Sequence, residues 1–313
     1  MALTSVLNQM IILFVCIVAG AVACRAGVMT HEGNKHISNL VINVTCPAMI
    51  LSAALSEETP RLAPALMGEL LALSVGCYAT LALLAWVLPK LLRVPRDYRG
   101  LFRFTMVFSN VKFMGFPVVE ALLGQEGLFY AAVFNIPFDI LVFSLGVWFI
   151  SGGSDKGQLS WRLLLSPAIV ASVAALAVNL SGLRLPAVVG ESLQFIGDIT
   201  SPASMLVLGA SIGGLSLRAL AGSWRVNLLL VLRQFLIPAA GFFLLRPILS
   251  EPVVLGMTVL MLAMPIGSIT SMFCIQYGAD EAQGSRAVFL STLISIVAIP
   301  ILVWLLPIQG AGL

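Results

Sequence analysis

Apolar runs of about twenty residues recur along the chain, and their length constrains the fold more than any other feature. A helix of ~20 apolar residues is long enough to cross the hydrocarbon core of a bilayer. The 313 residues are also 59% hydrophobic and only 10% charged, which excludes an ordinary soluble globular domain. The sequence therefore predicts an all-α integral membrane protein.

Ten such runs can be distinguished, which predicts ten transmembrane helices. They lie near residues 7–26, 37–55, 65–88, 101–122, 128–150, 164–181, 190–212, 226–246, 253–276 and 285–306. With the N-terminus outside, twelve lysines and arginines fall on the cytoplasmic side and only Arg61, Arg184 and Arg246 fall outside. Because cytoplasmic loops carry the excess of positive charge, we expect a multi-pass protein of the cell membrane, in a bacterium the inner membrane, with both termini outside.

The two halves of the sequence share short motifs at one constant separation. Thr45 to Ala48 (TCPA) is matched by Thr200 to Ala203 (TSPA), and Ala132 to Phe134 by Ala287 to Phe289, in both cases 155 residues apart. This separation predicts a duplicated unit of five helices. Because five is odd, the second copy would be inverted in the membrane, as in many transporters with alternating access.

The repeat also predicts the domain organisation. Residues 1–150 would form the first five-helix repeat, and residues 161–313 the second, inverted one. Between them, residues 151–160 (SGGSDKGQLS) are polar and contain glycine, which is typical of a loop. We interpret them as a cytoplasmic linker that is too short for a soluble domain.

The stretch Ser109–Pro117 (SNVKFMGFP) interrupts the fourth apolar run. It combines the polar residues Asn110 and Lys112 with Gly115 and Pro117. Proline removes a backbone donor and crowds the preceding turn, and glycine relaxes the backbone, so we expect the helix to break here. Free backbone groups at membrane depth require a protein-lined or watery cavity.

A second stretch, Met264–Thr270 (MPIGSIT), has the same features in the other half, and Pro265 lies 155 residues after Asn110. Two interrupted helices at corresponding positions of two halves indicate a transporter's substrate site. The hydroxyl residues Ser268, Thr270 and Ser271 would either bind substrate oxygens or satisfy the backbone that Pro265 disrupts.

Ionisable residues inside the runs are further candidates, because charge at membrane depth is costly and usually functional or paired. Lys112 either faces the cavity, where it attracts a carboxylate or changes its protonation, or forms an ion pair with Asp139 or Asp198, or extends to the cytoplasmic edge. Asp139 follows Asn135 by four residues, so both would face the same side of the fifth helix.

The remaining candidates form a supporting or ion-binding set. Asp198 precedes the expected break at Thr200 to Pro202 and would be either a proton or sodium site or a helix cap. Arg233 would either tie helices together or face the cavity. The full supporting set is Asn43, Thr45, Pro47, Asn135, Asp139, Asp198, Thr200, Pro202 and Arg233.

Other function classes receive little support from the residues. The two histidines, His31 and His36, share one short loop with Glu32, a weak pattern for a metal site and for a membrane enzyme. The phosphate-binding motif G-x-x-x-x-G-K-[ST] does not occur, so transport energy would come from gradients or membrane potential. No cofactor, metal or nucleic-acid partner is predicted.

The residues around the breaks resemble one known family. Asn110–Gly124 (NVKFMGFPVVEALLG) is similar to the broken fourth helix of the auxin efflux carrier family, which includes the plant PIN-type carriers and has approximately N-x-x-x-M-G-x-P there. Met264–Gly278 and Ala287–Phe289 resemble its ninth and tenth helices, and Ile37–Pro47 resembles its second. The similarity runs nearly end to end in family order, without the long central loop of many plant members.

The resemblance implies a ten-helix, inverted-repeat carrier with a scaffold and a transport domain, whose broken fourth and ninth helices cross. Family substrates are organic anions such as indole-3-acetate, bacterial relatives include proposed malonate and malate carriers, and members are often dimeric. By position, Asn110 and Pro265 match crossover residues that meet a substrate carboxylate. Lys112 departs from the small or apolar residue usual there, which favours a more acidic substrate such as a dicarboxylate.

We therefore expect a secondary transporter of small organic anions, with alternating access at the crossover, possible proton or sodium coupling, lipid around it and a homodimeric assembly. The expected substrate-binding residues are Asn110, Lys112, Pro117, Pro265, Ser268, Thr270 and Ser271. The alternatives are a sodium-coupled symporter of the bile-acid type, which shares this architecture, a channel, and a membrane-embedded enzyme.

Overall fold

The computed structural model describes residues 2–56, 59, 61–152, 167–182, 186–213, 224–267 and 269–306, and these residues form helices and connecting turns with one isolated β-bridge. In the described residues up to Ile150 the α-helices are α1 (Ala2–Arg25), α2 (His31–Leu40), α3 (Cys46–Leu55), α4 (Pro64–Leu91), α5 (Arg99–Val107), α6 (Phe116–Phe134), α7 (Ile136–Leu141) and α8 (Val147–Ile150). The prediction of an all-α chain is confirmed.

The described part of the second half is also helical. Its α-helices are α9 (Pro167–Ser181), α10 (Ala187–Gly197), α11 (Thr200–Gly213), α12 (Trp224–Val231), α13 (Ile237–Leu245), α14 (Pro252–Ala263), α15 (Ile269–Tyr277) and α16 (Glu281–Leu305). Wider π-helical turns join several of them at Val41–Thr45, Val111–Gly115, Val142–Gly146 and Leu232–Leu236.

Five helical runs in the described residues are long and apolar enough to cross a membrane. They are Glu32–Leu55, Pro64–Leu91, Val111–Ile150, Asn227–Leu245 and Gln283–Leu305, and shorter apolar helices lie at Ile11–Arg25, Pro167–Ser181 and Pro252–Ala263. Within Val111–Ile150 the backbone leaves the helical conformation at Gly124, with φ 69° and ψ −166°. That φ favours glycine, and it divides the run between the predicted fourth and fifth spans. The count of ten spans stays a prediction.

Helices α1 and α11 lie in close backbone contact. Gly209 and Gly213 on α11 face the backbone of Ile17 and Ala21, and Gly20 on α1 faces the backbone of α11, so that a side-chain atom at any of the three would overlap the neighbouring chain. Small residues allow this approach in membrane helix pairs, where packing contacts rather than the hydrophobic effect hold helices together. The contact joins the first helix to a helix of the second half.

Aromatic rings fill the space beside the end of α5. The ring centroids of Phe104 and Phe108 are 4.9 Å apart, Phe104 lies 5.5 Å from Phe273, and Phe108 lies 5.6 Å from Phe138. Phe108 is fully buried. Tilted and edge-on ring pairs of this kind stabilise beyond their buried area, so α5, α7 and α15 are held together next to the candidate site.

Candidate functional site: the two helix interruptions

Two helices stop inside the apolar core and restart a few residues later. Helix α5 ends at Val107, and Phe108 has extended backbone angles (φ −100°, ψ 111°) before helical structure resumes at Val111. Helix α14 ends at Ala263, Met264 is extended (φ −62°, ψ 143°), and α15 begins at Ile269. The second interruption falls within the predicted stretch Met264–Thr270, whereas the first, from Phe108 to Asn110, begins one residue before the predicted stretch Ser109–Pro117.

The detailed cause of the first interruption differs from the prediction. The chain leaves the helix at Phe108, whereas Gly115 and Pro117 come after the interruption and belong to the restarted helix. Pro117 follows directly after the π-helical turn Val111–Gly115, in which the N–H of Phe116 donates to the carbonyl of Val111, and a widened turn of this kind accommodates the missing N–H of a proline. Pro117 therefore does not end the helix that begins at Val111.

The two interruptions are joined by their backbones. The N–H of Asn110 donates to the carbonyl of Pro265 over 2.7 Å, and Ser109 and Ile266 form an antiparallel bridge. A longer contact of 3.4 Å runs from the Gly267 nitrogen to the carbonyl of Phe108. These bonds satisfy backbone groups that the interruptions free inside an apolar core, where an unpaired group is costly.

Arg233 binds the C-terminal ends of α5 and α14, the two helices that stop at the interruptions. Its side chain is only 1% exposed, and its Nε donates to the carbonyl of Thr105 (3.1 Å) while Nη1 donates to that of Leu262 (3.0 Å). These carbonyls lie in the last turns of α5 and α14, where helical partners are missing and the helix dipole is negative. Of the two interpretations of Arg233, the contacts correspond to a tie between helices.

Hydroxyl side chains complete the second interruption. The Ser291 Oγ on α16 accepts from the N–H of Ile266 over 3.0 Å, and Thr270 Oγ1 donates to the carbonyl of Gly267 over 2.7 Å. Thr270 thus satisfies the disrupted backbone, one of its two expected roles. Ser268 lies outside the described residues, and Ser271 belongs to α15 with its side chain outside the description. Ser291 has no sequence signal that distinguishes it from other apolar-helix serines.

Lys112 and Asp139 form an ion pair beside the first interruption. Lys112 Nζ lies 2.6 Å from Asp139 Oδ1, and Asn135 Nδ2 donates to Asp139 Oδ2 over 3.2 Å. Of the two partners that the sequence leaves open for Lys112, Asp139 and Asp198, the one that it contacts in the structure is Asp139. The predicted common face of Asn135 and Asp139 agrees with this contact, although the helix turns from α6 to α7 at Asn135.

The side-chain amide of Asn110 has an unpaired donor at the point where the two interrupted helices meet. Its side chain is 3% exposed, and its Nδ2 has no hydrogen-bond partner among the described residues. Arg233 Nη2 and both amide atoms of Gln234 are likewise buried without a partner in the part of the chain that the structure covers. Buried polar atoms are nearly always paired in folded proteins, so the unpaired Asn110 Nδ2 at the helix interruption is a donor suited to a polar ligand.

The supporting set divides into buried and exposed members. Thr200 Oγ1 donates to Thr45 Oγ1 over 2.9 Å, and both threonines are buried. Pro47 lies in the first turn of α3, and Pro202 is exposed in the first turn of α11. The break predicted at Thr200 to Pro202 lies slightly earlier, because α10 ends at Gly197 and α11 already begins at Thr200.

The polar residues Asn43 and Asp198 have contacts other than the Lys112–Asp139 ion pair. Asn43 is exposed and donates from Nδ2 to the carbonyl of Asn39 over 2.8 Å. Asp198 is exposed in the turn between α10 and α11, within electrostatic range of Glu120. The contacts of Asn43 and Asp198 that the structure describes are therefore not with the helix interruptions.

Glu120 is a contact residue that the predicted site omits. Its Oε1 accepts from Gln125 Nε2 over 2.9 Å, and its Oε2 accepts from Ser201 Oγ over 3.2 Å, which connects α6 to the start of α11. The available signal was its charge near the end of the fourth apolar run, since acids at membrane depth are rare.

Comparisons with known proteins agree with this architecture. A family model described as "Membrane transport protein" matches residues 5–160 and 154–303. An uncharacterized transporter of Methanothermobacter thermautotrophicus is 24% identical over 290 residues, covering 92% of this chain and 94% of the relative. One from Methanocaldococcus jannaschii is 23% identical over 312 residues, covering 96% and 98%. Protein PIN-LIKES 1 of Arabidopsis thaliana is 21% identical over 359 residues, covering 88% of this chain and 73% of the plant protein.

A chain of apolar helices that this family model matches along nearly its whole length is a multi-pass membrane transport protein. It belongs to the auxin efflux carrier family, and the resemblance seen in the sequence is confirmed.

Proposed function

We propose that this protein is a secondary transporter of small organic anions, either auxin-like monocarboxylates or dicarboxylates. The substrate would bind where the two interrupted helices meet, and alternating access would release it to either side of the membrane. The observation that carries the proposal is the backbone contact between Asn110 and Pro265, because it brings two helix interruptions from different halves of the chain to one point.

The proposal includes a ten-helix, five-plus-five inverted repeat with crossing fourth and ninth helices. Two contacts support it. Asn110 bonds to Pro265, and Thr45 bonds to Thr200, and each pair has the 155-residue separation of the sequence repeat. Equivalent residues of two repeats touch each other only near the axis that relates them, so two such pairs are expected of a two-fold arrangement and not of unrelated halves.

An anionic substrate is favoured by the charges and dipoles around the interruptions. The helical segments that begin at Val111 and Ile269 start there, and a helix N-terminus carries roughly half a positive charge. Lys112, although paired with Asp139, presents an amino group of which an anion can become a second partner, since 19% of its side chain is exposed. The unpaired Nδ2 of Asn110 is a further donor for a carboxylate oxygen.

The energy would come from membrane potential or an ion gradient, because the chain has no phosphate-binding nucleotide motif. For a monoanion moving without a coupled ion, an inside-negative potential of ~100 mV favours export by about 2.3 kcal/mol. The proposal also includes the cell membrane as the location, both termini outside, and a homodimer.

The first experiment is a carboxylate panel on purified protein. Malonate, malate and indole-3-acetate are tested for thermal stabilisation of the wild type, of Lys112→Ala/Asp139→Asn and of Lys90→Ala. The double variant removes the cation without leaving a lone buried carboxylate, and Lys90 is an exposed lysine at the end of α4. We expect stabilisation of the wild type and Lys90→Ala that is lost in the double variant. Equal stabilisation of all three would remove Lys112 from the site.

Uptake into proteoliposomes then separates the alternatives. Saturable exchange of labelled malonate against internal malonate is expected of a carrier, whereas passive equilibration with channel-like conductance would indicate a channel. Dependence on external sodium would favour the sodium-coupled symporter, and chemical conversion of the acid would indicate an enzyme. Absence of any carboxylate flux from reconstituted, folded protein contradicts the proposal.

A further inference from the structure

The Lys112–Asp139 pair has one cation, for which Asp139 and a bound substrate anion would compete. In the structure the ammonium is 2.6 Å from Asp139, so the pair carries no net charge. Only 4% of the Asp139 side chain is exposed against 19% for Lys112, so the lysine is the member that an entering anion can reach. A substrate carboxylate at Lys112 would leave two negative groups beside one positive group inside an apolar core.

We propose that Asp139 takes up one proton when a substrate anion binds Lys112, so that the protein moves one proton together with each anion. The inference rests on the proposed transport of carboxylates. A buried charge without a partner is strongly disfavoured and is usually neutralised by a proton. One proton on Asp139 restores the pair's original total charge for each carboxylate that Lys112 accepts.

The proton and charge balance is simple. In the unloaded protein Lys112 is an ammonium and Asp139 a carboxylate. On the side where the site is open, the anion displaces the carboxylate from the ammonium, and a proton from water forms an O–H bond on Asp139. On the other side the anion leaves, Asp139 returns the proton to water, and the ion pair forms again. No electron is transferred, and no bond of the substrate breaks.

Asn135 is suited to both states of Asp139. Its Nδ2 donates to the carboxylate, and its Oδ1 is buried with no hydrogen-bond partner among the described residues. Because an amide carries donors on one side and an acceptor on the other, rotation of Asn135 would let its Oδ1 accept the O–H of a protonated Asp139.

No second cation near Asp139 can replace Lys112 in the described structure. The other titratable side chains with which Asp139 interacts electrostatically are the Cys46 thiol on α3 and the Tyr78 phenol on α4. Arg233 interacts with Tyr78, but it already donates to the carbonyls at the ends of α5 and α14. Helix α9, which also packs on α7, contains no titratable residue.

The test measures accumulation of labelled malonate and malate in proteoliposomes under a pH gradient, acid outside, with the potential held at zero by potassium and valinomycin. For one coupled proton, the wild type should accumulate the anion up to about tenfold per pH unit, since one unit is a tenfold proton ratio. An internal pH dye should report acidification that requires the external acid. Asp139→Asn should lose both effects, while the exposed Asp97→Asn should keep them.

The outcomes separate this inference from the transport proposal. No uptake by wild type of either acid overturns the transport proposal and the proton coupling together. Uptake that reaches only the external concentration, without dye acidification, overturns the coupling alone, as does undiminished accumulation by a folded Asp139→Asn. If Asp139→Asn does not fold, the wild-type dye signal still decides, since its absence during uptake contradicts one proton per anion.

Discussion

The buried Arg233 and the partly buried Lys112 stabilise different parts of the membrane core because their side chains have different shapes. Arg233 has a planar fork of five donors and reaches two backbone carbonyls on different helices. Lys112 has a compact ammonium and pairs with a single carboxylate. The first arrangement fixes two helix ends, and the second leaves one charged group able to exchange its partner.

Replacement of Lys112 by methionine should destabilise the protein strongly. Removing one partner of a buried ion pair costs about 3–5 kcal/mol, because the remaining charge is unpaired. Lys112→Met/Asp139→Asn should recover most of that loss. Chemical unfolding in a fixed detergent measures both, and a double variant no more stable than the single one would contradict the ion-pair account.

Replacement of Arg233 by methionine should cost more stability than the same change at Arg246. Arg233 donates two charged hydrogen bonds, each worth about 1.5–3 kcal/mol, while Arg246 is exposed near the ring of Phe242. Arg233→Lys should recover only part, since one ammonium is a poor match for two carbonyls held by a fork. Thermal unfolding of the three variants provides the comparison. Equal losses of stability at Arg233 and Arg246 would contradict the tie that Arg233 forms between α5 and α14.

The sequence identified Lys112 and Arg233 as candidate residues but did not determine which groups they contact. An ionisable residue inside an apolar run is usually functional or paired, and an ion pair with Asp139 or Asp198 was one of three alternatives for Lys112, beside a position in the cavity and an extension to the cytoplasmic edge. The choice depends on how α7 packs beside the first interruption, which residue spacing alone does not determine. The carbonyl partners of Arg233 carry no sequence signal, because every residue has a carbonyl.

At the scale of helices, glycine and proline have distinct positional effects. Polar residues with glycine and proline correctly indicated that two apolar runs are interrupted, because such residues are disfavoured in a continuous lipid-facing helix. The effect of Pro117 was harder to predict, since a proline disrupts a regular helix interior but is accommodated after a π-helical turn such as Val111–Gly115. The departure at Gly124 follows the same logic, as its positive φ suits glycine.

Alanine at Gly209 should weaken the protein, whereas alanine at Gly76 should not. A Cβ at Gly209 would overlap the backbone of Ile17, and one at Gly76 on α4 would meet no atom within 4 Å. Replacing glycine by alanine inside an open helix is otherwise favourable by about 0.5–1 kcal/mol. Melting temperatures of the two variants should therefore move in opposite directions, and a stabilised Gly209→Ala would show that α1 and α11 can separate without cost.

At the scale of the whole molecule, the two halves of the chain make contacts between residues that are 155 positions apart. The hydrogen bond between Thr45 and Thr200 lies between helices of different halves, and both side chains are buried. A sequence offset predicted that these residues are equivalent, but it contained no information that they touch. Whether residues 155 positions apart touch depends on how the two halves of the chain pack, which the offset alone does not decide.

The two threonines should contribute equally to stability. Thr45→Val and Thr200→Val each leave one buried hydroxyl unpaired, at a cost of about 1–3 kcal/mol, and the double change removes both hydroxyls with little further loss. A double-mutant cycle from denaturant unfolding measures the coupling. Strictly additive losses would mean that the hydroxyls do not depend on each other.

The contact between Asn110 and Pro265 uses main-chain atoms, which every amino acid except proline can supply on the donor side. Substitutions of the surrounding side chains would therefore leave this contact in place. Under the proposed function, selectivity among anions would depend on those side chains, while the backbone framework stays the same.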